Sequence, residues 1–261
     1  MPVEELAGTR ISWRDAGEGR PVLLLHCTHA HGRAWRDLRV HLPGRHIVPD
    51  LPAHGRSGGV QKGRDILVQS AEAAVALLEQ TDTADVVGHS FGAVVALRVA
   101  LDRPDLVRRL AIYEPVLFAA ARGTLEHEDH MRRHEAIFGQ GDAAARARAF
   151  HAEWGGGRPW GDLPEEQRTY ILERADLPLL QRPAISEDAT GILAPGGLEG
   201  LGHPVLLMTG ADSPPVVRVV ADRLTERLPE AHRETLPDAG HMGPISHSEA
   251  VADLVAPFLA G

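Results

Sequence analysis

Asp85-Val86-Val87-Gly88-His89-Ser90-Phe91-Gly92-Ala93-Val94-Val95-Ala96-Leu97 decides how the rest of the chain is read. Asp85-Val86-Val87 reads as a short strand. Phe91 to Leu101 is a run of small and apolar residues with little polar surface, which predicts a helix packed on a sheet. Between them stands Gly-x-Ser-x-Gly, at the sharp strand-to-helix turn where that pattern carries chemistry. A serine at such an apex is expected in a strained backbone conformation that lifts its hydroxyl clear of the sheet. Gly88 and Gly92 are needed there because a Cβ on either would meet neighbouring backbone. The helix N-terminus adds amide N–H groups and a positive dipole end beside the hydroxyl. Ser90 is therefore the candidate nucleophile; the competing reading is an incidental glycine-rich turn.

Outward from this turn, short β runs alternate with helical stretches, which predicts a mostly parallel, doubly wound α/β sheet. Thr9 to Arg14, Val22 to Leu25, His46 to Val48, Leu110 to Tyr113, Val205 to Met208 and Arg233 to Leu236 read as further strands. Ala34 to Leu42, Asp65 to Leu78, Val216 to Leu228 and Ser246 to Leu259 read as helices. The rhythm breaks between residues 115 and 202, where helical patterns alternate with glycine clusters and no β run is convincing. That stretch is too long for a structureless loop. The expected organisation is a core of residues 1–114 and 203–261 carrying a helical cap of residues 115–202. The glycines at the ends of the cap suggest that it moves.

Composition narrows the function. The chain has 261 residues with 27 Lys+Arg against 36 Asp+Glu, a formal net charge of −9. Nucleic-acid and anionic-membrane partners both want a basic surface and are not expected. Cys27 is the single cysteine, so there is no internal disulfide framework. No signal-peptide pattern and no long apolar run is seen, so a cytoplasmic protein is expected. A small-molecule substrate is the expected partner, with a homodimer left open.

A serine nucleophile needs a base, and the base needs an orienting acid. With this elbow the chain order is Ser, acid, His. The best histidine is His241, in Ala239-Gly240-His241-Met242-Gly243-Pro244, after the last strand. The preferred acid is Asp212, in Thr209-Gly210-Ala211-Asp212-Ser213-Pro214, after the preceding strand. Both would sit on the rim that carries Ser90. Glu114, in Tyr113-Glu114-Pro115, follows the strand after the elbow and is the rival acid. Taken singly, Asp212 could be a helix cap and His241 a surface-loop residue.

The sequence resembles the α/β-hydrolase superfamily over nearly its whole length. The segments that carry the resemblance are Leu24-Leu25-His26-Cys27-Thr28 with Trp35, Asp50-Leu51-Pro52-Ala53-His54-Gly55-Arg56-Ser57, the Ser90 elbow, Gly210-Ala211-Asp212 and Ala239-Gly240-His241. The resemblance implies an α/β-hydrolase fold and an oxyanion hole built from the N–H groups of Thr28 and Phe91. In the family the first segment usually reads His-Gly-x, and Cys27 stands in the glycine position. That substitution bears on the shape of the loop, since cysteine adopts positive φ poorly. Ala53 likewise replaces a glycine of the usual Asp-x-x-Gly-His-Gly-x-Ser.

The implied reaction is acyl transfer without a cofactor: a serine hydrolase acting on a small carboxylic ester, thioester or lactone. A carbon–carbon bond hydrolase or lyase could use the same three residues, as could an acyltransferase or perhydrolase. A receptor that has lost turnover is disfavoured by the intact elbow and triad candidates. His29, Phe118, Phe138, Trp154 and Trp160 are candidate substrate contacts, although helix-spaced aromatics more often serve packing. The His26–His31 cluster lacks the aspartate and histidine of a metallo-hydrolase motif, because Arg33 occupies the aspartate position, so no metal is expected. His127, His130 and His134 read as a solvated helix face, and Cys27 as buried and inert.

Overall fold

The structure, a computed structural model, describes residues 1–261. Its centre is an eight-stranded sheet in the order β1-β2-β4-β3-β5-β6-β7-β8. The strands are β1 (Val3–Leu6), β2 (Thr9–Ala16), β3 (Pro21–Leu25), β4 (Arg45–Pro49), β5 (Ala84–His89), β6 (Val107–Tyr113), β7 (Val205–Gly210) and β8 (Ala231–Leu236). β1 and β2 pair antiparallel with their neighbours, and β3 to β8 are mutually parallel. Only β1 was not legible in the sequence. Val3-Glu4-Glu5-Leu6 is an acidic, largely exposed edge strand with no buried face to impose alternation.

The interior strands are apolar at successive positions because both faces are covered. Leu23 and Leu25 join a cluster with residues of α2 (Ile66–Leu78), α3 (Phe91–Asp102) and α8 (Pro215–Thr225). Val22 and Leu24 point the other way, into a second cluster with Leu38 of the short α1 (Arg36–Arg39) and Val251, Val255 and Leu259 of α10 (Ser248–Ala260), which follows the one-turn α9 (Gly243–Ser246). Asp65 caps α2, its carboxylate accepting from Leu67 N and Val68 N.

Residues 115–202 contain helices and no strand. They hold α4 (Leu125–Phe138), α5 (Ala143–Trp154), α6 (Glu165–Leu172) and α7 (Leu177–Ser186), with three 3-10 turns. The segment leaves from the end of β6 and returns to the start of β7, its direct neighbour in the sheet. Trp154, Leu177, Ala184, Ile185, Ile192 and Leu198 belong to the same apolar cluster as α3, so the segment shares the core. No helix is long and apolar enough to cross a membrane.

Candidate active site

β5 ends at His89, and α3 begins at Phe91, leaving Ser90 alone at the turn. Its backbone has φ 57° and ψ −119°, a region that costs a non-glycine residue about 1–3 kcal/mol. The neighbours hold it there. The Ser90 N–H donates to Tyr113 O at 2.9 Å, tying the elbow to β6. A Cβ on Gly88 would lie 2.6 Å from Ala93 Cα, and one on Gly92 would run into Leu25 O. Both glycines are thus required by close approach of backbone to backbone.

His241 arrives on the loop after β8, preceded by Asp238 at φ 56°. Its Nε2 lies 3.0 Å from Ser90 Oγ. Its Nδ1 lies 2.7 Å from Oε2 of Glu114. With Nδ1–H donating to the carboxylate, Nε2 presents a lone pair to the serine O–H. The backbone of this loop is pinned from two strands. Tyr113 Oη donates to Gly240 O at 2.8 Å, and His89 Nε2 donates to His241 O at 2.8 Å. Burial, then the nearby His241, pushes the pKa of His89 well below its ordinary value, so it remains a neutral donor. Neither residue was singled out in the sequence. The only signal was their place at the C-terminal ends of the strand that leads into the elbow and of the strand beside it.

The acid is where the sequence preference and the structure part. Asp212 is exposed, and its only hydrogen bond is from its backbone N–H to Ala239 O at 2.9 Å. Glu114 is fully buried and takes the position on His241. β6 lies between β5 and β7, so a side chain at the end of β6 enters the space between Ser90 and the β7 loop directly. Glu114 has φ 48°, which turns the chain sharply as it leaves β6. The β7 loop supplies donors instead of the acceptor: Gly210 N–H at 2.7 Å and the Ser213 hydroxyl both meet Glu114 Oε1. A buried carboxylate is expensive unless hydrogen-bonded, and this one accepts from three groups.

The loop after β3 lies beside Ser90, with the carbonyls of Leu25 and His26 packed against Gly92. Thr28 N–H has no acceptor in the protein, and Phe91 N–H opens α3 with no preceding turn to bond. Cys27 is buried, its thiol pushed up to about 12 by desolvation. It does not adopt positive φ; His29 does, at 58°. The left-handed position of this loop is therefore two residues beyond the cysteine. His26 donates from Nδ1 to Cys27 O at 2.9 Å and accepts from Leu51 N–H at 3.0 Å, which fixes the loop. Ala53, in the bracing loop, has φ 64°, the conformation that a glycine would adopt more easily.

Of the expected substrate contacts, Trp154 lies against His241, the two ring centroids 4.7 Å apart. Phe118 packs on Trp154 at 5.7 Å, and half-buried Phe138 on His134 at 4.4 Å. His29 does not have a free tip: Nε2 lies 2.8 Å from Arg174 O, so it ties the β3 loop to the helical segment. Trp160 packs on His151 at 5.5 Å and on the small cluster of Ala147, Leu163, Ile171 and Ala175, where packing accounts for it. The solvated-face expectation for α4 is overturned for His130 and His134, which are buried under Phe118 and Phe138. Alternating charged positions, Glu128, Asp129, Arg132 and Arg133, concealed the buried stripe between them. No group of three His, Cys, Asp or Glu converges as a metal-ligating set.

A family model described as the alpha/beta hydrolase family matches residues 22–254. The chain belongs to this family. Among curated alpha/beta hydrolase relatives, 2-hydroxymuconate semialdehyde hydrolase of Pseudomonas sp. (strain CF600) is 26% identical, covering 97% of this chain and 92% of that protein. The pimeloyl-[acyl-carrier protein] methyl ester esterase of Aromatoleum aromaticum is 28% identical, over 92% of this chain and 98% of that one. Among solved structures, 2-hydroxy-6-oxo-6-phenylhexa-2,4-dienoate hydrolase from Rhodococcus sp. strain RHA1 superposes with a TM-score of 0.78 over 100% of both chains at 20% identity. That likeness is one of fold.

His89 holds the backbone of His241 as Glu114 holds its ring. Replacing His89 with Phe removes the donor to His241 O while keeping a ring against Trp35 and Tyr113. Loss of one buried hydrogen bond corresponds to roughly 1–3 kcal/mol, so a fall in kcat of about ten-fold or more is expected. KM should change little, and steady-state kinetics on any accepted substrate would check the split.

Proposed function

We propose that this protein is a serine hydrolase that cleaves a small carboxylic ester, thioester or lactone through Ser90, His241 and Glu114. The observation that carries the reading is the continuous relay from Ser90 Oγ to His241 Nε2, at 3.0 Å, and from His241 Nδ1 to Glu114 Oε2, at 2.7 Å. His241 takes the proton as Ser90 Oγ adds to the substrate carbonyl, and Glu114 holds the useful tautomer and faces the imidazolium that forms. The N–H groups of Thr28 and Phe91 are the donors for the oxyanion. His241 then gives its proton to the leaving alcohol, thiol or ring oxygen, forming the acyl-enzyme. Water, deprotonated by His241, releases the acid and restores Ser90.

Residues 115–202 act in this reading as the cap. Ser90 is only 4% exposed and His241 6%, with Trp154 of α5 lying against the latter. Substrate entry then requires the helical segment to shift, and the glycines at Gly156 (φ 70°) and Gly157 (φ 78°) supply freedom next to Trp154.

A second reading, hydrolysis of a carbon–carbon bond beside a ketone, has its own support. The semialdehyde hydrolase relative matches along nearly the whole chain. The same addition step would serve it, with a carbon leaving group protonated in place of an oxygen. Fluorophosphonate labelling with peptide mapping, run beside a panel of esters, thioesters, lactones and dienoic ketones, separates the possibilities. Labelling at Ser90 with sustained turnover of an oxygen or thiol ester is expected. Turnover confined to the dienoic ketones would favour the second reading, and no labelling at Ser90 would remove both.

A further inference from the structure

α4 turns two histidines inward. His130 has no solvent exposure and His134 only 3%. Neither nitrogen of His130 has a hydrogen-bond partner in the protein, nor does Nδ1 of His134. A neutral imidazole carries one N–H and one lone pair, and leaving such groups unpaired in an interior costs about 1–3 kcal/mol each. Packing alone would be better served by phenylalanine or leucine at both positions. Burial first, then His134 and Arg133 beside His130 and Arg182 beside His134, hold His130 at about 3 and His134 at about 4, so both rings are uncharged at neutral pH.

These rings are joined to the reacting end by direct contacts. His130 stacks on Phe118 at 4.0 Å and meets Trp154 at 5.9 Å, and Trp154 meets His241 at 4.7 Å. His134 lies 5.5 Å from His130, one turn further along α4. On the side of the β3 loop, Gln181 of α7 is 1% exposed. Its Oε1 accepts from Thr28 Oγ1 at 2.6 Å while its Nε2 is also unpartnered. Apolar rings thus alternate with uncharged polar groups that have unused hydrogen-bonding capacity. A carboxylate would call for protonated imidazoles, which burial and the nearby Arg133 and Arg182 guanidiniums oppose, and both arginines already face carboxylates, Arg133 on Asp129 and Glu153 and Arg182 on Glu187. A keto or hydroxyl oxygen matches a neutral imidazole without any change of charge.

We propose that His130 and His134 form a recognition subsite for an uncharged oxygen substituent, keto or hydroxyl, on the substrate chain away from the carbonyl that Ser90 attacks. The proposal rests on Ser90 marking the reacting end, and its test does not depend on turnover. Binding of methyl heptanoate to the Ser90→Ala protein is compared by calorimetry with that of its analogues carrying a keto or hydroxyl group on the fourth, fifth or sixth carbon. A chain ending in a carboxylate is the charged control. At least one oxygenated ester is expected to bind roughly ten-fold tighter than the plain one, as one or two good hydrogen bonds supply. In the Ser90→Ala background, His130→Phe should bring that ratio to within about two-fold, and His134→Leu should lower it in part.

His130→Gln, which keeps a donor and an acceptor, should retain part of the preference; it also decides the matter if the Phe variant fails to melt as a folded protein. Absence of any preference, its survival in both apolar variants, or tighter binding of the carboxylate chain overturns the proposal. A selective binder whose wild type never acylates Ser90 would sink the serine-hydrolase reading and leave the subsite standing. An acylating enzyme without the preference would do the reverse.

Discussion

Replacing Ser90 with Ala is expected to lower turnover on an activated ester by roughly 10³ to 10⁶-fold, with His241→Ala close behind. The two losses should not multiply in the double variant, because the residues act as one unit on one proton. The removed atom is the Oγ that lies 3.0 Å from His241 Nε2, and the fold offers no substitute. Ser213 is held by Glu114, and Ser57 by Asp50 O at 2.6 Å. Ser90→Ala also leaves the elbow itself intact, since the strained backbone is enforced by Gly88, Gly92 and the bond to Tyr113 O. An unchanged melting temperature with lost turnover is therefore the expected pair of results. Full activity in a clean Ser90→Ala preparation would falsify the nucleophile assignment.

Glu114→Gln is expected to reduce kcat by roughly 10² to 10⁴-fold, while Asp212→Asn changes it by no more than about three-fold. A glutamine offers its amide N–H or its carbonyl to His241 Nδ1. In the first case the imidazole is driven into the tautomer whose Nε2 bears the proton and cannot accept from Ser90. In the second the tautomer survives but the counter-charge to the imidazolium is gone. The Gly210 and Ser213 donors, now aimed at a neutral amide, also lose part of their strength. Asp212 contributes only its backbone N–H to the site, through Ala239 O, and asparagine keeps that group. Steady-state kinetics of the two variants side by side test the assignment; equal activity of the Gln variant and the wild type, or collapse of the Asn variant alone, would return the role to Asp212.

Much of the fold was legible because parallel strands buried on both faces must be continuous apolar runs. Val22 to Leu25 and Val205 to Met208 stand out from any helical period for that reason. The edge strand Val3–Leu6 and the inward face of α4 were not legible, each for lack of a clean apolar signal. At the site, Ser90 could be read because the turn demands two glycines at fixed offsets, a constraint local to five residues. His241 could be read because few histidines follow the last strands.

What the sequence determined by itself was thus the α/β sheet, the strained serine and the histidine that meets it. Tertiary structure alone decided which carboxylate lies against that histidine and which of the helical segment's histidines face inward. Glu114 and Asp212 both follow strands on the same rim, and nothing local distinguishes them. The choice depends on β6 lying between β5 and β7, on the turn at Glu114, and on donors from Gly210 and Ser213 gathered around its buried oxygens. A carboxylate settles where enough donors converge to offset its desolvation, and that convergence joins residues about a hundred positions apart in the chain, which no local pattern records.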